Sequence, residues 1–159
     1  MQLLTDALVF ATLAAVVAPC CAEGDPALVG CWEAEKIVRY ESDKKVTEDQ
    51  SFGCTMNFSL DRVVALCVAP QGESRIEYSY LIPRAGVYRA TIISNPNRPS
   101  SIGSTRDIDY AVRDDRLYIT TYPQTTTPAP LTDLTKVESV SIRRMSSVGC
   151  RPEKTSISH

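Results

Sequence analysis

From residue 29 to residue 145 the chain is a succession of short segments rich in Val, Ile, Tyr, Thr and Phe, cut at regular intervals by turn residues. Eight such segments stand out, at 29–40, 51–59, 62–68, 75–82, 87–94, 106–112, 116–122 and 136–145. The punctuation is chemically apt: Leu60-Asp61 is a tight connection, Ala69-Pro70-Gln71-Gly72 and Pro83-Arg84-Ala85-Gly86 each combine Pro with Gly, and Arg113-Asp114-Asp115 is a polar turn. Two longer connections, 95–105 and 123–135, are rich in Pro, Ser and Thr and read as surface loops. No stretch sustains a 3.6-residue period, so the pattern predicts an all-β chain.

Alternation assigns faces. Ile76, Tyr78, Tyr80 and Ile82 share one face of the fourth segment, against Arg75, Glu77 and Ser79 on the other. Ile108, Tyr110 and Val112 oppose Asp107 and Asp109 in the sixth, and Val140 and Ile142 oppose Ser139 and Ser141 in the eighth. One dry face and one wet face is the signature of antiparallel sheet covered on one side. Eight strands joined mostly by hairpins predict an eight-stranded antiparallel up-and-down barrel, which leaves no open edge. The alternative is a sandwich, whose long crossovers have only 95–105 and 123–135 to use.

Length and composition agree with one such domain. The chain has 159 residues, 43% hydrophobic and 23% charged, with a formal net charge of −2, so neither disorder nor a basic nucleic-acid face is indicated. Ahead of the strands, residues 7–17 read ALVFATLAAVV, a run too short for a membrane span and of the right length for a secretory h-region. The n-region has no Lys or Arg and carries Asp6. Residues 1–22 are read as a signal peptide and 23–159 as the mature domain, secreted or periplasmic, with a buried N-terminal helix as the alternative. Val17-Ala18-Pro19 before Cys20 and Cys21 also admits a lipoprotein signal.

Removal of 1–22 leaves four cysteines, Cys31, Cys54, Cys67 and Cys150. An even number in an exported chain reads as two disulfides with three connectivities open. Cys54 and Cys67 lie six residues out on either side of Leu60-Asp61, where directly opposed residues of a hairpin can be bridged. Cys31 on the first strand and Cys150 beyond the last are then joined if the barrel closes. In chain-entropy terms the two loops are worth about 3 and about 5 kcal/mol. The first pairing places Val64, Leu66 and Val68 away from the dry face of the preceding strand, so the parity of 62–68 stays open.

Leu28-Val29-Gly30-Cys31-Trp32 at the head of the first strand resembles the Gly-x-Trp opening of lipocalins and lipocalin-like domains. Val140-Ser141-Ile142-Arg143-Arg144 is similar to the closing strand whose arginine packs on that tryptophan, and Asp115-Arg116-Leu117-Tyr118-Ile119-Thr120 resembles a penultimate strand. The resemblance implies a lipocalin-like barrel with a structural trio of Gly30, Trp32 and an arginine. Independently of any family, a guanidinium stacked on Trp32 gains about 1–2 kcal/mol when partly desolvated. Arg144 shares the parity of Val140 and Ile142 and is the expected partner.

The one histidine, His159, stands at the last position, so no imidazole is at hand to activate a serine, and the mature cysteines are expected as disulfides. The carboxylate pairs Asp107 with Asp109 and Asp114 with Asp115 read as the wet face of a strand and as a turn. Asn57-Phe58-Ser59 is a glycosylation sequon. No phosphate loop, acidic calcium loop or zinc spacing is present, so the chain is read as non-enzymatic, with no cofactor and no metal. The distinctive residues are tyrosines. Tyr78, Tyr80, Tyr88 and Tyr110 point inward on this parity and predict either a phenol-walled ligand cavity or a filled core.

Two functions follow, both without a nucleic-acid partner. One is an exported lipocalin-like protein that binds a small apolar or amphipathic ligand in the barrel. The other is an envelope or secreted interaction protein, an inhibitor of a hydrolase acting through loops 95–105 or 123–135. Non-reducing peptide mapping is expected to recover Cys31 joined to Cys150 and Cys54 joined to Cys67; a Cys31–Cys54 peptide refutes the pairing.

Overall fold

A computed structural model describes residues 24–42, 44–49, 53–70, 72–122, 134–145 and 150. The expected signal segment with Cys20 and Cys21, and nearly all of the 123–135 connection, lie outside the described residues. Among the described residues there are nine strands: β1 (Gly30–Glu41), β2 (Lys44–Asp49), β3 (Gly53–Phe58), β4 (Arg62–Ala69), β5 (Gly72–Arg84), β6 (Val87–Ser94), β7 (Thr105–Arg113), β8 (Arg116–Thr121) and β9 (Leu134–Arg144). Antiparallel pairing runs β1-β3-β4-β5-β6-β7-β8-β9, and β9 returns to pair with β1 from Cys31↔Arg144 to Glu41↔Leu134. That return closes an eight-stranded barrel and excludes the sandwich.

The strand absent from the hydrophobic pattern is β2. It pairs with Ile37–Glu41 of β1 while β3 pairs with Gly30–Glu33, so the two strands share one neighbour. Its sequence, Lys-Lys-Val-Thr-Glu-Asp, shows no apolar alternation, and Val46 is half exposed. Hairpin geometry and ion pairing hold it instead: Ser42 turns the chain at φ +44°, and Glu48 pairs with Lys36 at 2.9 Å and with Lys45.

Both disulfides are formed as the spacing indicated. Cys54 sits directly opposite Cys67 in the β3–β4 ladder, and Cys31 is joined to Cys150 across 119 residues. The parity left open on β4 is settled by register. Val63, Ala65 and Cys67 face the lumen, and Leu66 is buried on the outer face together with Thr55, whose hydroxyl donates to the Cys150 carbonyl at 3.0 Å. Cys150, bound to Cys31, thus lies against the outer face of β3.

On β9 the expected parity is reversed. Ser139 and Ser141 face inward, paired with Ile37 and Ala34, while Val140 and Ile142 face out. Ser141 is fully buried and its hydroxyl has no hydrogen-bond partner among the described residues. At Ser141 the lumen already holds the fully buried Trp32 indole from the facing strand, so a small side chain is what close packing admits there, while Ser139 borders open volume farther along the barrel. At Ser141, volume and not polarity decides the face.

The same reversal exchanges the arginines. Arg143, not Arg144, stacks on Trp32, with its guanidinium carbon 4.2 Å from the ring centroid. Its Nη1 and Nη2 donate to the carbonyls of Val29 and Ala27 at 2.7 and 2.8 Å, and the Trp32 indole N–H donates to the Leu28 carbonyl at 2.7 Å. Arg144 lies outside, paired with Glu33. Gly30, at φ +134°, carries a conformation L side chains rarely adopt, and a Cβ there would lie 2.9 Å from Arg143 Nη1. The trio of Gly, Trp and Arg therefore folds residues 24–29 across one end of the barrel.

Two charge-assisted hydrogen bonds and a cation–π stack are lost together in Arg143→Ala, for an expected destabilisation of about 2–4 kcal/mol. Arg144→Ala is expected to cost less than about a third of that, because its ion pair is exposed. Urea denaturation of the two variants checks the difference.

Candidate functional site

The closed end is aromatic. The rings of Phe58, Tyr80 and Tyr88 meet edge to face with centroids 5.6, 5.7 and 5.9 Å apart, and Tyr110 packs on Tyr88 at 5.8 Å. Strand alternation delivers these side chains to one layer from β3, β5, β6 and β7. The segment before β1 then locks onto that layer. Tyr110 donates to the Asp25 carboxylate at 2.6 Å, and the Gly24 N–H donates to the carbonyl of Leu60 in the β3–β4 turn at 3.0 Å, the same turn whose Ser59 carbonyl accepts from Tyr80 at 2.6 Å. A Cβ on Gly24 would collide with the Leu60 carbonyl and lie 2.6 Å from the Tyr80 hydroxyl, so the plug fits only with glycine there.

Beyond the aromatic layer the barrel is hollow. A cavity of about 160 Å³ is walled by apolar side chains from β3 to β8, among them Met56, Val63, Ile108 and Ile119, and by Tyr78, Tyr88, Arg106, Thr121 and Ser139. Successive inward positions on β1, β3, β4 and β5 border a second cavity of about 420 Å³, where Ile37, Arg39, the Cys54–Cys67 bridge and Ser74 meet Asn97 of the β6–β7 connection.

All four tyrosines of the sequence pattern point inward, but they divide by task. Tyr78 and Tyr88 line the inner cavity. Tyr110 spends its hydroxyl on Asp25 of the plug and Tyr80 on the Ser59 carbonyl of the β3–β4 turn, and neither borders the inner cavity. Hydroxyl commitment is a property of residues distant in sequence, Ser59 and Asp25, and strand parity carries no trace of it. Burial pushes the Tyr88 and Tyr110 phenols above their usual value, and the Asp25 carboxylate adds to the shift at Tyr110.

Arg106 is the residue that the sequence pattern passed over. It opens the segment whose inward set is Ile108, Tyr110 and Val112, and that shared parity was the available signal. Its Nη2 donates to the Tyr78 hydroxyl at 3.4 Å, and its guanidinium carbon lies 6.0 Å from the Tyr78 ring centroid. No carboxylate among the described residues pairs with it.

The carboxylate pairs lie away from the lumen. Asp107 accepts from Arg89 at 2.6 and 3.0 Å on the outer face, which holds its carboxyl below the usual range, and Asp109 is exposed beside it. Asp114 and Asp115 form the β7–β8 turn at φ +49° and +57°. Among the described residues no three His, Cys, Asp or Glu side chains gather as a metal site, and no helix is long and apolar enough to cross a membrane.

No family model matches the chain, and no curated protein does. Among solved structures, the chain is similar to a lipocalin-like protein from Bacteroides uniformis ATCC 8492, at 12% identity and a TM-score of 0.49, covering 74% of this chain and 99% of that one. It is also similar to an uncharacterized protein from Bacteroides eggerthii DSM 20697, at 12% identity and a TM-score of 0.46, covering 73% and 98%. The chain is a closed eight-stranded antiparallel barrel. That description rests on the strand ladder of this barrel.

Because the folded phenols of Tyr80, Tyr88 and Tyr110 are shifted upward, the unfolded chain loses those protons first as pH rises. Their stabilisation is complete below about pH 10, the ordinary tyrosine value, and declines above it by up to about 1.4 kcal/mol per pH unit for each phenol. Urea unfolding between pH 8 and about 11.5 is expected to show that decline, with a shallower slope in Tyr88→Phe.

Proposed function

We propose that this chain is an exported, non-enzymatic binding protein that holds a small apolar or amphipathic molecule inside the barrel. The observation that carries the reading is the inner cavity, where apolar walls surround a few hydrogen-bonding groups, Tyr78, Tyr88 and Arg106. Sites for small molecules have this composition: apolar area gives affinity and a few placed polar groups give orientation. Two disulfides fit an oxidising compartment, secreted or periplasmic, and the apolar run at 7–17 supplies a route to it.

A second reading, an interaction protein acting through its loops, draws on the β6–β7 connection. Asn95 is buried there and bonds Ser101 and Arg98 at 2.9 and 3.1 Å, which fixes the loop while Ile102 stands 53% exposed. An ordered loop with an exposed apolar residue offers a contact to another protein.

Native mass spectrometry of the purified protein is expected to show a small adduct that is lost on denaturation. The denatured mass is expected to begin at Glu23 and to lack four protons for two disulfides. An adduct-free chain that gains no thermal stability from a panel of small apolar acids, alcohols and amines overturns the binding reading, since any ligand of the folded state alone must stabilise it.

A further inference from the structure

The polar groups of the inner cavity are unequal in sign. Arg106 brings a full positive charge among apolar walls, and its protein contact is a neutral phenol at the long distance of 3.4 Å. Glu73 is the carboxylate bordering the outer cavity among the described residues, and it is itself engaged. Arg39, which also borders that cavity, adds a second guanidinium without a carboxylate partner among the described residues. The Tyr78 and Tyr88 hydroxyls at the same cavity can donate, and that of Tyr88 has no hydrogen-bond partner among the described residues.

A half-buried guanidinium is poorly hydrated and gains most from a planar anion that takes two of its N–H donors at once. A hydroxyl ligand accepts one bond and leaves the charge uncompensated, and an ammonium is repelled. Size narrows the class further. A cavity of about 160 Å³ is close to that which accommodates a benzene-sized guest, so the apolar part has about six to eight carbon atoms.

Resting on the binding function proposed above, we propose that the barrel takes a small apolar monocarboxylate, its carboxylate held by Arg106 with the Tyr78 and Tyr88 hydroxyls beside it and its hydrocarbon body in the inner cavity.

The test is calorimetric titration of the disulfide-intact protein at pH 7 with hexanoate, 1-hexanol and hexylamine, repeated in Arg106→Met, which keeps most of the apolar volume. Hexanoate is expected to bind at least about tenfold tighter than hexanol, with hexylamine weakest. In Arg106→Met the acid is expected to fall to the affinity of the alcohol while hexanol is unchanged. Equal affinity for acid, alcohol and amine, or an acid affinity that survives Arg106→Met, overturns the carboxylate assignment and leaves the cavity as a site for neutral guests. Binding of none of the three overturns both the assignment and the binding function. The comparison of the three compounds on the unaltered protein decides the matter even if Arg106→Met does not fold.

Discussion

The stack of Arg143 on Trp32 is the interaction on which the rest of the barrel depends. The indole fills the closed end, and the guanidinium uses its two remaining edges to hold the Ala27 and Val29 carbonyls. Those carbonyls belong to the segment that carries Gly24, Asp25 and Leu28 into the same end, so one arginine couples the last strand to the chain ahead of the first. Gly30 is glycine because the chain must bend at positive φ directly beneath that arginine. The aromatic layer of Phe58, Tyr80, Tyr88 and Tyr110 gains a floor in this way, and the cavity beyond it gains an end.

Much of this was legible in the sequence because the physics is local. Turn chemistry located eight strands, alternation put Ile76, Tyr78, Ile108 and Tyr110 inside, and the symmetry of Cys54 and Cys67 about Leu60-Asp61 fixed a register that Cys31 and Cys150 then completed. Two features escaped. β2 is held by ion pairs around Glu48 and by its hairpin, neither of which leaves a hydrophobic period. β9 puts Ser141 inward beside the buried Trp32, a constraint visible only when distant strands are brought together, and Ser139 follows on the same face. The arginine assignment failed with it, by one residue, since a shift of one position in a strand exchanges inside for outside.

The site was legible in part for the same reason. Parity identifies which side chains reach the lumen, and it did so for the tyrosines; Arg106 shares the face of Ile108, but its charge kept it out of the inward set read from the sequence. Parity is silent on which hydroxyls are already spent. Asp25 and Ser59 decide that, and they separate Tyr110 and Tyr80 from the cavity-facing Tyr78 and Tyr88.

The β1–β9 seam has a kinetic meaning. From β3 to β9 every strand pairs with its neighbour in sequence, so those hairpins can form by short-range search. The seam instead joins Cys31 to Arg144 and carries most of the chain between its two edges, which makes it the slow encounter in the folding of this topology. The lumen has no existence before that encounter. A guest held inside depends on contacts absent from the open chain and from any species in which the seam is unmade, so it contributes nothing to the rate of closure. Its effect falls on the rate at which the seam parts: an occupied barrel folds no faster than an empty one and stays shut longer.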